Sequence, residues 1–287
     1  ISLSRVDSNG LKLEPDLATS EADTFIILLS DAVTDMNLNG IEQQSSALAA
    51  SVVLPDITAP IFERCAVNMD SGMLSLTFDE TMSASTVNAA NITFQNSASI
   101  VTSQYALTGG NVSDTNDEAI HIALTDYDLN ALKVRTGLAI SNITSVIRMA
   151  ARSAEDMGGN SLTASVLSCE TFTADTTFPE LDSFSLNMHH GMLSLTFSEA
   201  MRARLITPAQ FTLLNGDNTA SVTLSSSSLV SSTGGTIITV NLTIADMNEI
   251  KGSEDLATGT GNTFLAITTD AAQDMNTNAV VAIPAAS

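Results

Sequence analysis

The heptapeptide Gly72-Met73-Leu74-Ser75-Leu76-Thr77-Phe78 returns unchanged as Gly191-Met192-Leu193-Ser194-Leu195-Thr196-Phe197, 119 residues further on (72 to 191). An internal repeat of this kind limits the fold more than any composition figure, because each copy has to build the same supersecondary unit. Asp56 and Pro60 recur at the same spacing as Asp175 and Pro179. Two further markers occur three times each. Asp-x-Asn-x-x-Lys stands at Asp7/Asn9/Lys12, Asp128/Asn130/Lys133 and Asp246/Asn248/Lys251, and Asp-Met-x-x-Asn at Asp35 to Asn39, Asp156 to Asn160 and Asp274 to Asn278.

These markers divide the chain into units of about 120 residues. Residues 1–55 read as the back part of one unit, 56–174 as a complete unit, and 175–287 as a unit lacking its last strand. That phase leads us to expect a segment of a longer array, with a subunit completed by a neighbour's strands as the alternative. Within the complete unit the apolar residues come in short alternating runs, the signature of half-buried strands. The runs are Phe62 to Val67, Met73 to Phe78, Ile92 to Gln95, Ile100 to Leu107, Ile120 to Leu124, Ile143 to Met149 and Val166 to Phe172. Seven such strands in one unit predict an all-β fold, a sandwich of two antiparallel sheets per repeat. Asn68 to Gly72 and Gly109-Gly110 carry turn chemistry. One short helix per repeat is expected where Leu129 and Leu132 share a face, capped by Asp126 and with Lys133 at its C-terminal end.

The segment Leu-x-Leu-Thr-Phe-(Ser/Asp)-Glu-x-Met, at residues 74–82 and 193–201, resembles bacterial Ig-like domains of the S-layer (SbsA) type. Asp156-Met157-Gly158-Gly159-Asn160 is similar to the Asp-x-x-Gly-Asn that closes such domains, and Asp56 to Pro60 and Asp175 to Pro179 to their Asp-x-Thr-x-Pro joints. Thr81 and Ala200 depart from the family by standing where it has proline. The resemblance implies tandem Ig-like sandwiches in a secreted or cell-surface protein that scaffolds or adheres. In such sandwiches the first and last strands can lie side by side, which would bring Cys65 and Cys169 together as a disulfide; the alternative is two inert buried thiols.

Charge narrows the choice of partner. Against 32 acidic residues stand only 10 basic ones, a net charge of -22, which excludes a nucleic-acid backbone as partner and disfavours an anionic membrane surface. No apolar run is long enough to span a bilayer, so no membrane insertion is expected. The excess of carboxylates suits an extracellular protein in a salty medium, or one that binds calcium. Candidate calcium ligands at the joints are Asp56 with Asp35 and Asn39, Asp175 with Asp156 and Asn160, and the third copy Asp274 with Asn278. The plainer reading is that these residues close turns.

Catalytic chemistry is not expected. His189 and His190 sit in a turn, His121 lies on the outer face of a strand, and no nucleophile, phosphate loop or zinc helix is present. Asp79 and Glu80 are adjacent and point to opposite faces. Lys12, Lys133 and Lys251 read as helix-end ion pairs, with a Lys-to-Asn crosslink as the remote alternative. Asn91, Asn111, Asn142 and Asn241 head Asn-x-Ser/Thr sequons, candidate glycosylation sites. Function is therefore expected to be structural, a filament, surface appendage or coat built by self-association. The alternative is an adhesive module that recognises glycans or a protein, with the serine-rich run from Ser225 to Gly235 as a candidate loop.

Overall fold

The computed structural model describes residues 1–285 apart from Asp31 and Ser232. The segment before the first sandwich contains helix α1 (Arg5–Lys12) and a two-stranded ribbon, β1 (Phe25–Ile26) against β2 (Leu48–Ala49). The first sandwich follows with β3 (Phe62–Asn68), β4 (Met73–Ser83), β5 (Ile92–Gln95), β6 (Gln104–Ala106), β7 (Asn111–Val112), β8 (Asp117–Ala123), helix α2 (Asp126–Lys133), β9 (Val146–Met149), β10 (Glu155–Asp156), β11 (Ser165–Ser168) and β12 (Thr171–Thr173). Its sheets run in the orders β12-β3-β4-β8-β7, with β10 on the end of β4, and β11-β9-β5-β6. Pairing is antiparallel except that β12 runs parallel to β3.

Alternation in β4 sets the layers. Leu74, Leu76 and Phe78 are fully buried while Ser75 and Thr77 between them are half-buried, as expected of a strand that presents successive side chains to opposite faces. Facing them across the core are Ile92, Phe94, Ile147 and Met149 from the second sheet. The β3–β4 turn is closed by Asn68, whose Oδ1 accepts from the amides of Asp70 and Ser71 at 2.9 and 3.1 Å. Gly72 ends it at φ +66°, where an added Cβ would meet Leu129 Cδ2 at 3.1 Å, so both backbone and space require glycine.

The second sandwich repeats this plan with β13 (Leu181–Asn187), β14 (Met192–Met201), β15 (Phe211–Leu214), β16 (Ser221–Thr223), β17 (Leu229–Val230), β18 (Gly235–Asn241), helix α3 (Ile244–Gly252) and β19 (Phe264–Ile267). Its sheets are β13-β14-β18-β17 and β16-β15-β19. The strand order matches β3-β4-β8-β7 place for place. The edge of β13, which corresponds to the edge of β3 covered by β12, carries no strand among the described residues. A groove of about 310 Å3 lies beside it, lined in part by Leu181, Phe184, Leu214, Phe264 and Ile283.

Several expectations need correction. The run Ile100 to Leu107 pairs only over Gln104–Ala106, because Asn96 folds the preceding residues into a loop through bonds to Thr102 and Ser103. The run Ile143 to Met149 begins its strand at Val146, after a 3-10 turn over Asn142–Thr144. Val166 to Phe172 is two strands in two sheets, broken at Cys169-Glu170, where the chain crosses from β9 to β3. The α2 cap is Thr125, whose side chain accepts from Asp128 N; Asp126 is the first helical residue. In the serine run, β17 pairs with β18 as a hairpin, and Ser232 lies outside the described residues.

Residues 1–55 bury less than the matching part of the first sandwich. Ile26 corresponds to Ile147 and is 53% exposed where Ile147 is 0%. The side chain is the same; the opposing sheet is absent from residues 1–55.

Candidate functional site

Helix α2 is built to face two ways. Thr125 caps α2, and Asp128 at its third position turns back into its own sandwich, accepting from Tyr105 Oη at 2.7 Å, Thr108 N at 3.1 Å and Thr108 Oγ1 at 2.9 Å. Burial alone would raise the Asp128 pKa, but these bonds outweigh it and hold the carboxyl below its ordinary value. Asp246 plays the same part in α3, accepting from Ser225, Ser228 and Thr243. The remaining residues of the marker point outward to the next repeat. Asn130 Oδ1 accepts from Ala200 N at 2.7 Å, and Lys133 Nζ stands 2.7 Å from Asp175 Oδ2 and 2.7 Å from Glu199 Oε2.

All three sequence markers thus meet at one place. Lys133 comes from the helix of the first sandwich, Asp175 from the linker, Glu199 from the Leu-Thr-Phe-x-Glu-x-Met strand of the second, and Asp274 from its Asp-Met-x-x-Asn turn. The same constellation forms one repeat earlier from Lys12, Asp56, Glu80 and Asp156. Arg5 adds bonds to Glu63, Glu118 and the carbonyl of Phe78 at that first joint. Lys251 on α3 is exposed and has no carboxylate partner among the described residues.

The second joint is the drier of the two. Side-chain exposure is 7% for Lys133, 5% for Asp175 and 8% for Glu199, against 25% for Lys12 and 27% for Asp56. Removal from water pushes the Glu199 carboxyl up to about 7, against the opposing pull of Lys133. Burial likewise raises Asp274. For Lys133 burial acts in the opposite direction, but its two carboxylate partners prevail and its pKa is raised.

The Asp-Met-x-x-Asn turns clamp the linkers. Asp156 accepts from Asn160 N at 2.7 Å, and Asn160 Nδ2 donates to the carbonyl of Asp56 at 3.1 Å. Asp274 accepts from Asn278 N at 2.7 Å, and Asn276 and Asn278 both donate to the carbonyl of Asp175. At the far side of the linker, Asp70 accepts from Thr176 N at 2.7 Å and from the hydroxyls of Thr176 and Thr177.

This grouping revises the calcium sets. Asp56 gathers with Asp156 and Asn160, and Asp175 with Asp274 and Asn278; each turn serves the linker that opens its own repeat, not the linker that follows it. Asp35 and Asn39 bond to each other on an exposed turn and join neither group. Calcium takes six to eight oxygens. Three carboxylates converge at each joint, and an ammonium already holds two of them. The donor set does not fit calcium.

Cys65 on β3 and Cys169 between β11 and β12 form a disulfide that closes 104 residues. Asn91, Asn111, Asn142 and Asn241 are all exposed. His121 is exposed and its Nδ1 lies 2.8 Å from Ser75 Oγ; His189 and His190 are exposed turn residues whose amides donate to Asn187. The reading of the lysines as pairs with their own helix ends is corrected, since each described pair crosses to the next repeat. The residues that sequence reasoning passed over are Glu80 and Glu199. Their signal was a glutamate inside the repeated strand, 6% exposed in both copies, where an unpaired charge would not be tolerated. No helix among the described residues is long and apolar enough to cross a membrane. No protein-family model matches the chain, and no curated protein is similar enough to count as a relative.

Proposed function

We propose that the chain is a structural repeat segment of an extracellular filament, surface appendage or coat, in which Ig-like sandwiches are set end to end by an ionic joint. The observation that carries this is that residues from all three kinds of repeated marker converge at both boundaries between units. A lysine from one unit, an aspartate from the linker and a glutamate from the next are brought to contact twice in the same way. A protein whose function lay in a loop or pocket would have no need to reproduce its boundaries. The disulfide accords with an oxidising, extracellular setting. Self-association by strand addition would use the edge of β13 beside its apolar groove, the position that β12 takes on β3 in the first sandwich.

The joint holds a fixed angle, because the linker is tied on both sides and its cation is supplied by the protein. Lys133→Met leaves Asp175, Glu199 and Asp274 without it. Solution scattering should show the wild-type chain as one extended body and the variant as two bodies with a spread of orientations. Equal flexibility in the two proteins would overturn the rigid-joint reading. Electron microscopy of the concentrated protein tests assembly directly: head-to-tail strings are expected, and dispersed single particles at every concentration would count against a filament.

A further inference from the structure

We propose that Lys133 and Asp175 condense to an isopeptide, an amide between Nζ and Cγ that bonds the helix of the first sandwich to the linker opening the second, with Glu199 as the proton carrier. The amine and the carboxyl are 2.7 Å apart, and both are more than nine-tenths buried. The nitrogen makes its hydrogen bond to Glu199 at 2.7 Å and meets Asp175 at the same distance without hydrogen-bond alignment. The earlier joint shows the same geometry, but there Lys12 and Asp56 are about a quarter exposed to water, so the reaction is assigned to the drier joint alone. Asp56 Oδ2 is buried and has no hydrogen-bond partner although Lys12 Nζ lies 2.7 Å away, and the hydrogen bond of Lys12 goes to Glu80. In both joints the amine donates to one acid while its nitrogen stands against the carboxyl group of another.

Three features favour reaction. First, the groups are held. Asn276 and Asn278 fix the backbone carbonyl of Asp175, and Asn130 ties α2 to the strand that carries Glu199. Pre-paid positioning of this kind gives effective molarities of about 10⁵ to 10⁸ M, far above the concentration of the water that would reverse the step. Second, condensation replaces a buried ammonium and a buried carboxylate with a neutral amide, and buried charge is costly. Third, the protons are already present. Transfer of one proton from the ammonium to Asp175 gives a free amine and a carboxylic acid, and Glu199, whose Oε2 lies 2.7 Å from Nζ and whose carboxyl is pushed up to about 7 by burial, stands beside them as the carrier, so no proton is drawn from solvent.

The balance is that of an amide condensation. The Nζ lone pair of the neutral amine forms the bond to Cγ of protonated Asp175. Glu199 accepts a proton from the nitrogen and returns one to the departing oxygen, the Cγ–O bond breaks, and one water leaves. Nothing is oxidised or reduced, and Glu199 ends as it began.

The test is the intact mass of the full chain, reduced and denatured. Wild type should weigh about 18 Da less than its sequence, the mass of one water lost in a covalent modification. Protease digestion should yield a branched peptide joining positions 133 and 175. Glu199→Gln and Lys133→Arg should have the full mass while keeping the Cys65–Cys169 bond and the β-sheet circular dichroism of wild type. Wild type at full mass would overturn the proposal. So would a loss of water that maps to another position or persists in Glu199→Gln. The proposal builds on the joint described above, but its failure is separable: an unmodified mass with a rigid scattering envelope leaves an ionic joint standing.

Discussion

Reduction of the disulfide should weaken one sandwich and spare the other. The Cys65–Cys169 bond closes a loop of 104 residues, for which the chain-entropy model gives about 4.7 kcal/mol. Unfolding entropy near 60 °C is about 2.1 cal/mol/K per residue, or roughly 0.25 kcal/mol/K over residues 56–174. The quotient is a fall in Tm of about 20 °C for the first sandwich. The assay is built into the sequence. There is no tryptophan, and the two tyrosines, Tyr105 and Tyr127, both lie in the first sandwich, so tyrosine fluorescence follows that unit alone while far-ultraviolet dichroism follows both. With reductant the tyrosine transition should drop by about 20 °C and the remaining dichroism transition should stay, and Cys65→Ser should behave in the same way. A tyrosine transition unmoved by reduction would refute the entropic argument. An equal fall in both transitions would refute the independence of the two cores.

Other outcomes follow from single residues. Asp128→Ala should cost about 2 kcal/mol, since it removes a buried carboxylate that accepts from Tyr105 Oη and from the amide and hydroxyl of Thr108, read by urea denaturation on tyrosine fluorescence. Because the folded pKa of Asp128 is depressed, its contribution is whole above the ordinary aspartate value near 3.9 and is lost as pH falls through the folded value; Asp128→Asn should flatten that acid limb. Thr277 sits at φ +73°, where the matching residue of the first sandwich is Gly159 at +81°, so Thr277→Gly should stabilise the second sandwich by about 1 kcal/mol, and a loss of stability would contradict the assignment. A chelator should leave both melting transitions in place, whereas a fall of several degrees, reversed by calcium, would restore the calcium reading.

How much of this was legible depends on the range of the interaction. The strands Phe62 to Val67, Met73 to Phe78 and Ile92 to Gln95 were readable because alternation is local, and the single helix per repeat because Leu129 and Leu132 lie three apart. Thr125 was readable in principle as the cap: Ser4, Thr125 and Thr243 each stand three residues before the recurring aspartate, the capping pattern. The break at Cys169-Glu170 was not, since both halves of Val166 to Phe172 keep an alternating pattern while changing sheets. Recurrence flagged the joint residues, but their purpose was hidden. Lys133 meets an acid 42 residues on (133 to 175) and another 66 on (133 to 199), and no periodicity links positions so far apart. The same recurrence misled the calcium sets, because an aspartate before a linker and an aspartate after it look alike until the turn is seen to fold back to its own front edge.

The pairing of β12 with β3 decides how the chain responds to being pulled. The two strands are parallel neighbours that open and close the first sandwich in chain order, so once the disulfide is reduced, tension applied through the linkers loads their hydrogen bonds in shear, all together, instead of opening them one by one. Tension that enters at Cys65 also leaves at Cys169 through the sulfur bridge, so the stretch from Ala66 to Ser168 is bypassed and cannot lengthen. Neither device exists in the second sandwich among the described residues. Under load the first sandwich acts as an inextensible link and the second as the element that yields.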